Sequence, residues 1–354
     1  MYCLTLLTYF AFASSGISAV FGLSSTDSEH NLANYSPPEN ICYVEPIGGI
    51  EWILHKRRSD FGWKEDTHRA IIALAVNDWK NVPQSDIRQN ELQLEIEITR
   101  ALLRASISTF HANDLALYIH ALIAINRNPR DFHGVDLVEK LLKVVENEEQ
   151  VHPFLILALC NAKAVSSYHL DSIISYTGHE ERETSRKIEY KALAVKALAC
   201  AEDLRLASYL HTRAKEHGIQ CLRHFQKEDG HFGNLYTTAL SVQALIASNI
   251  LDGWKKDEAI EYLKSQSTVN VNMVSTYYIQ LALNAHRYKF VKDIHPHLVI
   301  ERAPEKEWYH NFIHYTIRTS KNPDVYFTIT INAAPNTSFF DIMKLSQEHD
   351  SKFK

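Results

Sequence analysis

A chain of 354 residues, 45% of them hydrophobic, is long enough to bury one large core or two ordinary ones. Its 11 Gly and 10 Pro are few for an all-β protein and suit a helical one. A formal charge of −5 and a pI near 6.4 give nucleic acid or acidic lipid no electrostatic footprint to bind.

The chain opens on Cys3–Ala13, CLTLLTYFAFA, an apolar run of signal-peptide length followed by the small residues Ser14, Ser15, Gly16, Ser18 and Ala19. It predicts a signal peptide over residues 1–19, although no Lys or Arg precedes the run; the competing reading is a buried N-terminal helix. No later stretch reaches membrane-spanning length without charges, so the expected location is extracellular. Losing Cys3 leaves Cys42, Cys160, Cys200 and Cys221, an even number in an oxidising route that allows three pairings. Sequons at Asn34 and Asn336 predict a glycoprotein, with Pro37 making the first a poorer acceptor. Residues 20–41, polar and broken by Pro37 and Pro38, read as a flexible leader.

From residue 42 to about residue 300 one pattern recurs: a helix ending in Ala-Leu or Leu-Ala among small apolar residues. The copies are THRAIIALAV (67–76), NDLALYIHALIAI (113–125), VHPFLILALC (151–160), IEYKALAVKALAC (188–200), YTTALSVQALIAS (236–248) and VSTYYIQLALNA (274–285). Their marker leucines, from Leu74 to Leu283, recur at intervals of 37 to 48 residues, the period of helix-pair repeats. Between them lie amphipathic, charged helices, such as 87–107, 135–146, 207–225 and 257–264. Six small-residue helices alternating with roughly six amphipathic ones predict an (α/α)6 barrel, with an open solenoid as the alternative. The fifth copy follows the turn QKEDGHFGN, in which Gly230 and Gly233 allow a tight reversal and the hydroxyls of Tyr236–Thr238 offer caps. Ser59–Trp63, SDFGW, precedes the first copy in the same way, so such turns share the end where inner helices begin, the expected ligand mouth.

Residues 301–322 read as a mixed linker. Asp324–Asn332 then alternates Val325, Phe327, Ile329 and Ile331 against Tyr326, Thr328 and Thr330, a strand, and Ser338–Gln347 reads as a short helix. Residues 323–354 are therefore expected to begin a small β-rich (α+β) domain, incomplete as it stands, since one strand and one helix make no core.

Catalytic signatures are missing: there is no Gly-x-Ser-x-Gly, Walker loop or dinucleotide fingerprint. His310 and His314 have i, i+4 spacing with His295 and His297 nearby, but Asn311 stands where a zincin needs Glu, so no metal centre is expected. Asp60, Glu65, Asp66, Glu189 and Asp229 fall near the expected mouth, where helix-start carboxylates facing the helix dipole explain them. The chain does not read as an enzyme.

The turn Gln226–Gly233 resembles that of α/α-toroid proteins such as terpene cyclases, but the acidic DxDD motif of the cyclases, the zinc ligands of prenyltransferases and the thioester Cys-Gly-Glu-Gln of complement-type toroids are absent. Gly233–Leu245, GNLYTTALSVQAL, is similar to the GDIYSTGLAMQAL helix start of the cobalamin-carrier family of intrinsic factor, transcobalamin and haptocorrin. Phe154–Cys160, FLILALC, resembles that family's LAILALC; Cys42 before Gly49-Ile50 matches its first cysteine; Tyr326–Asn332 resembles the strand opening its second domain, and Phe339–Phe353 the helix after it. The resemblance implies a secreted carrier holding cobalamin (vitamin B12), a small-molecule corrinoid, at the barrel mouth, with a cell-surface receptor as a further partner. The alternative is a secreted structural or interaction protein that keeps the barrel without the corrinoid site. It implies a Cys160–Cys200 bond and leaves Cys42 with Cys221, because Lys255 stands where the family's first cysteine finds its partner. Carried over position by position, the ligand contacts fall on Gln150, Glu189, Asn234 and Tyr278, none identical to the family's residue; Tyr278 would place a phenol in corrin space. Arg186 stands at the position of a cobalt-binding His in some carriers, and His179 in the same loop is the substitute.

Overall fold

The computed structural model describes residues 48–105, 111–178, 184–269, 271–301, 311–319, 322–333 and 339–350. All lie in the second of the two units into which the chain divides, Pro46–Lys354. The signal peptide, the leader, Cys42, the sequons at Asn34 and Asn336, and His179 fall outside the described residues.

The helices in chain order are α1 (Gly49–His55), α2 (Thr67–Ala75), α3 (Gln84–Ala105), α4 (Ala112–Ala124), α5 (Leu137–Asn147), α6 (Pro153–Asn161), α7 (Ser167–Asp171), α8 (Ser185–Asp203), α9 (Tyr209–Phe225), α10 (Leu235–Ala247), α11 (Lys256–Val269) and α12 (Met273–Leu283). The repeated small-residue copies become α2, α4, α6, α8, α10 and α12. Each packs on the next, and α12 packs back on α2, so among the described residues six inner helices form a closed ring. Closure excludes the open solenoid. The inner helices can sit this close because they are thin and apolar all round: every residue of Ala192–Ala201 in α8 is buried. The outer helices carry their apolar residues on one stripe. In α5, Leu137, Val138, Leu141 and Val145 are buried while Asp136 caps the helix by accepting from the Glu139 amide at 2.8 Å. α1 bridges α12 and α2, α5 bridges α4 and α6, and α11 bridges α10 and α12, so an outer helix covers each of these seams.

Cys160 of α6 and Cys200 of α8 are disulfide-bonded. Cys221 is buried on α9 with its Sγ 4.0 Å from His217 Nε2. The expected Cys42–Cys221 bond involves a residue outside the described set.

Beyond the barrel, the stretch read as a linker carries a strand. β1 (Asn311–Thr319) pairs antiparallel with β2 (Asn322–Ala333), setting Ile313 opposite Ile331, Tyr315 opposite Ile329 and Ile317 opposite Phe327. Ile313, Tyr315 and Ile317 alternate with His314, Thr316 and Arg318, a short period-two signal. His314 lies on this strand, and His310 falls outside the described residues. Helix α13 (Phe339–His349) packs on β2, where Ile331 and Ile342 are buried.

Candidate functional site at the amino-terminal rim of the inner ring

The two glycines of Gln226–Asn234 are required by the turn. Gly230 has φ +87° and Gly233 φ +123°, both in the range that side chains disfavour, and a Cβ on Gly230 would lie 2.5 Å from Glu258 Cβ. Gln226 braces the turn, donating from Nε2 to the Gly230 and Lys255 carbonyls at 2.8 Å each and accepting from the Lys255 amide at 2.7 Å. The cap of α10 is Asn234 rather than the Tyr236–Thr238 hydroxyls as a group. Asn234 Oδ1 accepts from the Thr237 amide at 2.9 Å, and Thr237 Oγ1 accepts from the Asn234 amide at 2.8 Å. Thr238 Oγ1 instead accepts from the Phe232 amide at 2.9 Å, just as Thr67 Oγ1 accepts from the Trp63 amide at 3.0 Å before α2. The two aromatic-glycine turns are thus tied to their helices by the same hydroxyl device. Asn272 and Ser275 repeat the Asn234–Thr237 box at the start of α12.

With its oxygen spent on the cap, the Asn234 side chain still acts on the Glu189 carboxylate, favouring its charged form. Glu189 is half-buried, and burial pushes its carboxyl above the usual range against the lowering effect of Asn234 and Arg186. Tyr278 is also raised by burial, and it feels Arg69, Glu189 and Tyr236. Its ring meets Tyr236 edge-on at 5.6 Å and Tyr277 at 5.1 Å. Next around the rim, Tyr190 lies 4.6 Å from His152, whose Nδ1 accepts from the Phe154 amide to cap α6. Glu189, Asn234 and Tyr278 are therefore brought together. Gln150 is exposed on the approach to α6, two residues before His152. Lys191, buried two residues beyond Glu189, donates to the carbonyls of Tyr176 and Gly178, tethering the turn that leads toward residue 179.

Of the other carboxylates near the mouth, Asp60 accepts from the Gly62 amide at 3.0 Å, Asp66 pairs with Arg69 at 2.8 Å, and Asp229 stands 3.4 Å from His231. These are local structural roles. Apart from these locally paired charges, the rim sets the Glu189 carboxylate and the Asn234 amide among the phenols of Tyr190, Tyr236, Tyr277 and Tyr278. It suits a ligand bearing amide and hydroxyl groups.

Sequence reasoning did not single out Arg69 or Tyr277, and it took Tyr236 only as one of a group of capping hydroxyls. All three lie in the first turns of inner helices, so their place in the repeats was the available signal.

Residues 67–278 match the family model described as eukaryotic cobalamin-binding protein, a span from the first residue of α2 to Tyr278 in α12. The uncharacterized protein CG3556 of Drosophila melanogaster is 23% identical over 384 residues, covering 93% of this chain; the chain spans 64% of that relative's length. Haptocorrin in complex with Cbi superposes with a TM-score of 0.49 at 15% identity, covering 84% of this chain and 79% of its own. On the family-model match, which extends over most of the inner ring, the chain belongs to the eukaryotic cobalamin-binding protein family.

Proposed function

We propose that this protein is a secreted corrinoid carrier that holds its ligand at the amino-terminal rim of the inner ring. The observation that carries the reading is the Glu189–Asn234–Tyr278 cluster, set at that rim of a chain whose family is cobalamin-binding. A corrin macrocycle bears peripheral amides, which donate and accept. Glu189 supplies a carboxylate acceptor whose charged form Asn234 favours, and Gln150 supplies an exposed amide. The tyrosines present ring faces and hydroxyls to the edge of the macrocycle. In this reading no residue acts as a catalyst and the corrinoid is cargo. Membrane uptake would fall to a receptor, since no described helix is long and apolar enough to cross a membrane.

Visible absorbance gives the test. Full-length protein titrated with cyanocobalamin should shift the corrinoid bands and retain colour through gel filtration. An unshifted spectrum and colourless protein would overturn the carrier reading in favour of a barrel used for protein interaction.

A further inference from the structure

Beside the rim, between the turn at residues 58–66, α3 and the first turns of α2 and α4, lies a cavity of about 570 Å³. That is within the size range of small-molecule pockets, roughly 300–1,000 Å³, and too small for a whole corrinoid. Its wall carries a buried polar cluster built by three elements. His68 of α2 is 2% exposed, and its Nδ1 lies 2.8 Å from Glu97 Oε1 of α3. Tyr118 of α4 donates to the same oxygen at 3.2 Å and meets the His68 ring edge-on at 5.2 Å. A carboxylate oxygen only accepts, so the imidazole proton is on Nδ1. Two atoms remain: His68 Nε2 and Glu97 Oε2 are both buried and have no hydrogen-bond partner within the protein. In the neutral imidazole both are acceptors. Burying two lone-pair acceptors without donors is costly, and native proteins satisfy nearly all such groups.

We infer that this cavity is a binding subsite for a neutral hydrogen-bond donor, an amide N–H or a hydroxyl, which the His68–Glu97 pair receives. The cavity's formal charges support neutrality. Arg58 stands 3.6 Å from Asp60 and Arg69 pairs with Asp66 at 2.8 Å, while Lys64, Arg100 and Arg104 are matched in number by Glu65, Glu97 and Asp114. Neither a phosphate nor a free ammonium group has a matching excess of opposite charge to meet. Among the described residues no group of three or more metal-ligating side chains is present, which sets the pair apart from a metal centre.

The donor has two sources. Arg69 lines the cavity and also acts electrostatically on Tyr277 and Tyr278, so the cavity adjoins the rim cluster. An amide arm of a corrinoid seated at the rim could enter it, and that source rests on the carrier reading. A separate small molecule with an amide or hydroxyl group needs no corrinoid.

The test uses side-chain ¹⁵N–¹H correlation spectra of the full chain, which read each histidine nitrogen as protonated, bare or hydrogen-bonded. His68 should be an Nδ1–H tautomer at neutral pH, with a bare Nε2 whose resonance moves on ligand addition. The probes are dicyanocobinamide, propionamide and glycerol, with corrinoid binding followed separately by absorbance. Movement with dicyanocobinamide supports an amide arm from the rim. Movement with propionamide or glycerol alone supports a separate ligand, and stands even if absorbance shows no corrinoid binding. Dicyanocobinamide bound by absorbance with His68 unmoved by every probe overturns the subsite, as does a His68 protonated on both nitrogens at neutral pH. Glu97→Gln, which replaces the waiting acceptor with a donor or rotates it away from His68, should weaken the active probe about tenfold. If that variant does not fold, the wild-type spectra decide alone.

Discussion

Asn234 does two jobs with one side chain, and substitutions can separate them. Its oxygen caps α10, and its side chain favours the charged form of the Glu189 carboxylate. Asn234→Ala removes both, and should lower stability by about 1 kcal/mol, as cap deletions do, while weakening corrinoid uptake. Asn234→Asp keeps the cap, because Asp serves that position as well as Asn. It also places a second carboxylate against Glu189, already raised by burial. The added like charge pushes the carboxyl pKa up further, so protonating one of the two relieves the repulsion. Thermal melts should show near-native stability for Asn234→Asp that improves as pH is lowered from 8 to 6, whereas Asn234→Ala should show no such gain. Equal pH behaviour in the two variants would mean that Glu189 does not face the 234 side chain.

His120 is the second residue whose environment predicts a measurement. It is buried in α4, its Nε2 lies 3.0 Å from Asn161 Nδ2, and burial together with the nearby Lys196 charge holds its pKa down at about 3. The unfolded chain protonates this imidazole near 6.5, so between about 6.5 and about 3 the unfolded state carries the extra proton. Stability therefore falls as pH falls through that window, by at most about 1.4 kcal/mol per pH unit from this group. His120→Gln keeps an acceptor for Asn161 and cannot be protonated. Urea midpoints at pH 7 and pH 4.5 should fall less for the variant than for the wild type, and parallel declines would refute the assignment.

At the scale of elements, the repeat was legible because inner and outer helices differ in composition. Ala-rich copies such as KALAVKALAC could only be packed on all sides, and α8 is so packed. What escaped was the polar residue inside three of the six copies. His120, Lys196 and Gln243 each stand two before the marker leucine, as His-Ala-Leu, Lys-Ala-Leu and Gln-Ala-Leu, and all three are buried. Lys196 donates to Gln243 Oε1 at 2.8 Å, and its pKa is brought down to about 8 by burial. Read together, they describe a polar layer toward the carboxy-terminal end of the ring, where apolar periodicity alone predicts only core. The site was less legible than the fold. Glu189 and Asn234 lie 45 positions apart along the chain and meet only because α8 and α10 adjoin, while His68–Glu97 depends on which face α3 turns to α2. β1 was missed because its alternation of Ile313, Tyr315 and Ile317 with His314, Thr316 and Arg318 is short. Between elements, the Cys160–Cys200 bond closes 40 residues between α6 and α8, worth roughly 4 kcal/mol on the chain-entropy model. Replacing both cysteines with alanine should lower the urea midpoint by a comparable free energy, measured without reductant.

Ring closure sets the behaviour of the whole barrel. The first and last inner helices meet through Asn77, just after α2, whose Nδ2 donates to Gln280 Oε1 of α12 at 3.0 Å and whose Oδ1 accepts from Asn284 Nδ2 at 3.3 Å. Tyr288 and Arg287 both reach Asp78 beside it. An open array of helix pairs would fray from its ends, so its terminal repeats would exchange amide hydrogens faster than its middle. A closed ring has no ends. The α2 and α12 amides should therefore exchange as slowly as those of α8, although they lie more than two hundred positions apart in sequence. Asn77→Ala cuts the seam by removing both hydrogen bonds and leaving the Gln280 oxygen to find a new donor, at a cost of about 1–3 kcal/mol. The same change in a solenoid would loosen only the first repeat. In the closed ring, protection should drop together in α2 and α12, and urea unfolding should remain a single transition. Faster exchange in α2 with α12 unchanged would show that the seam does not couple the two ends of the chain.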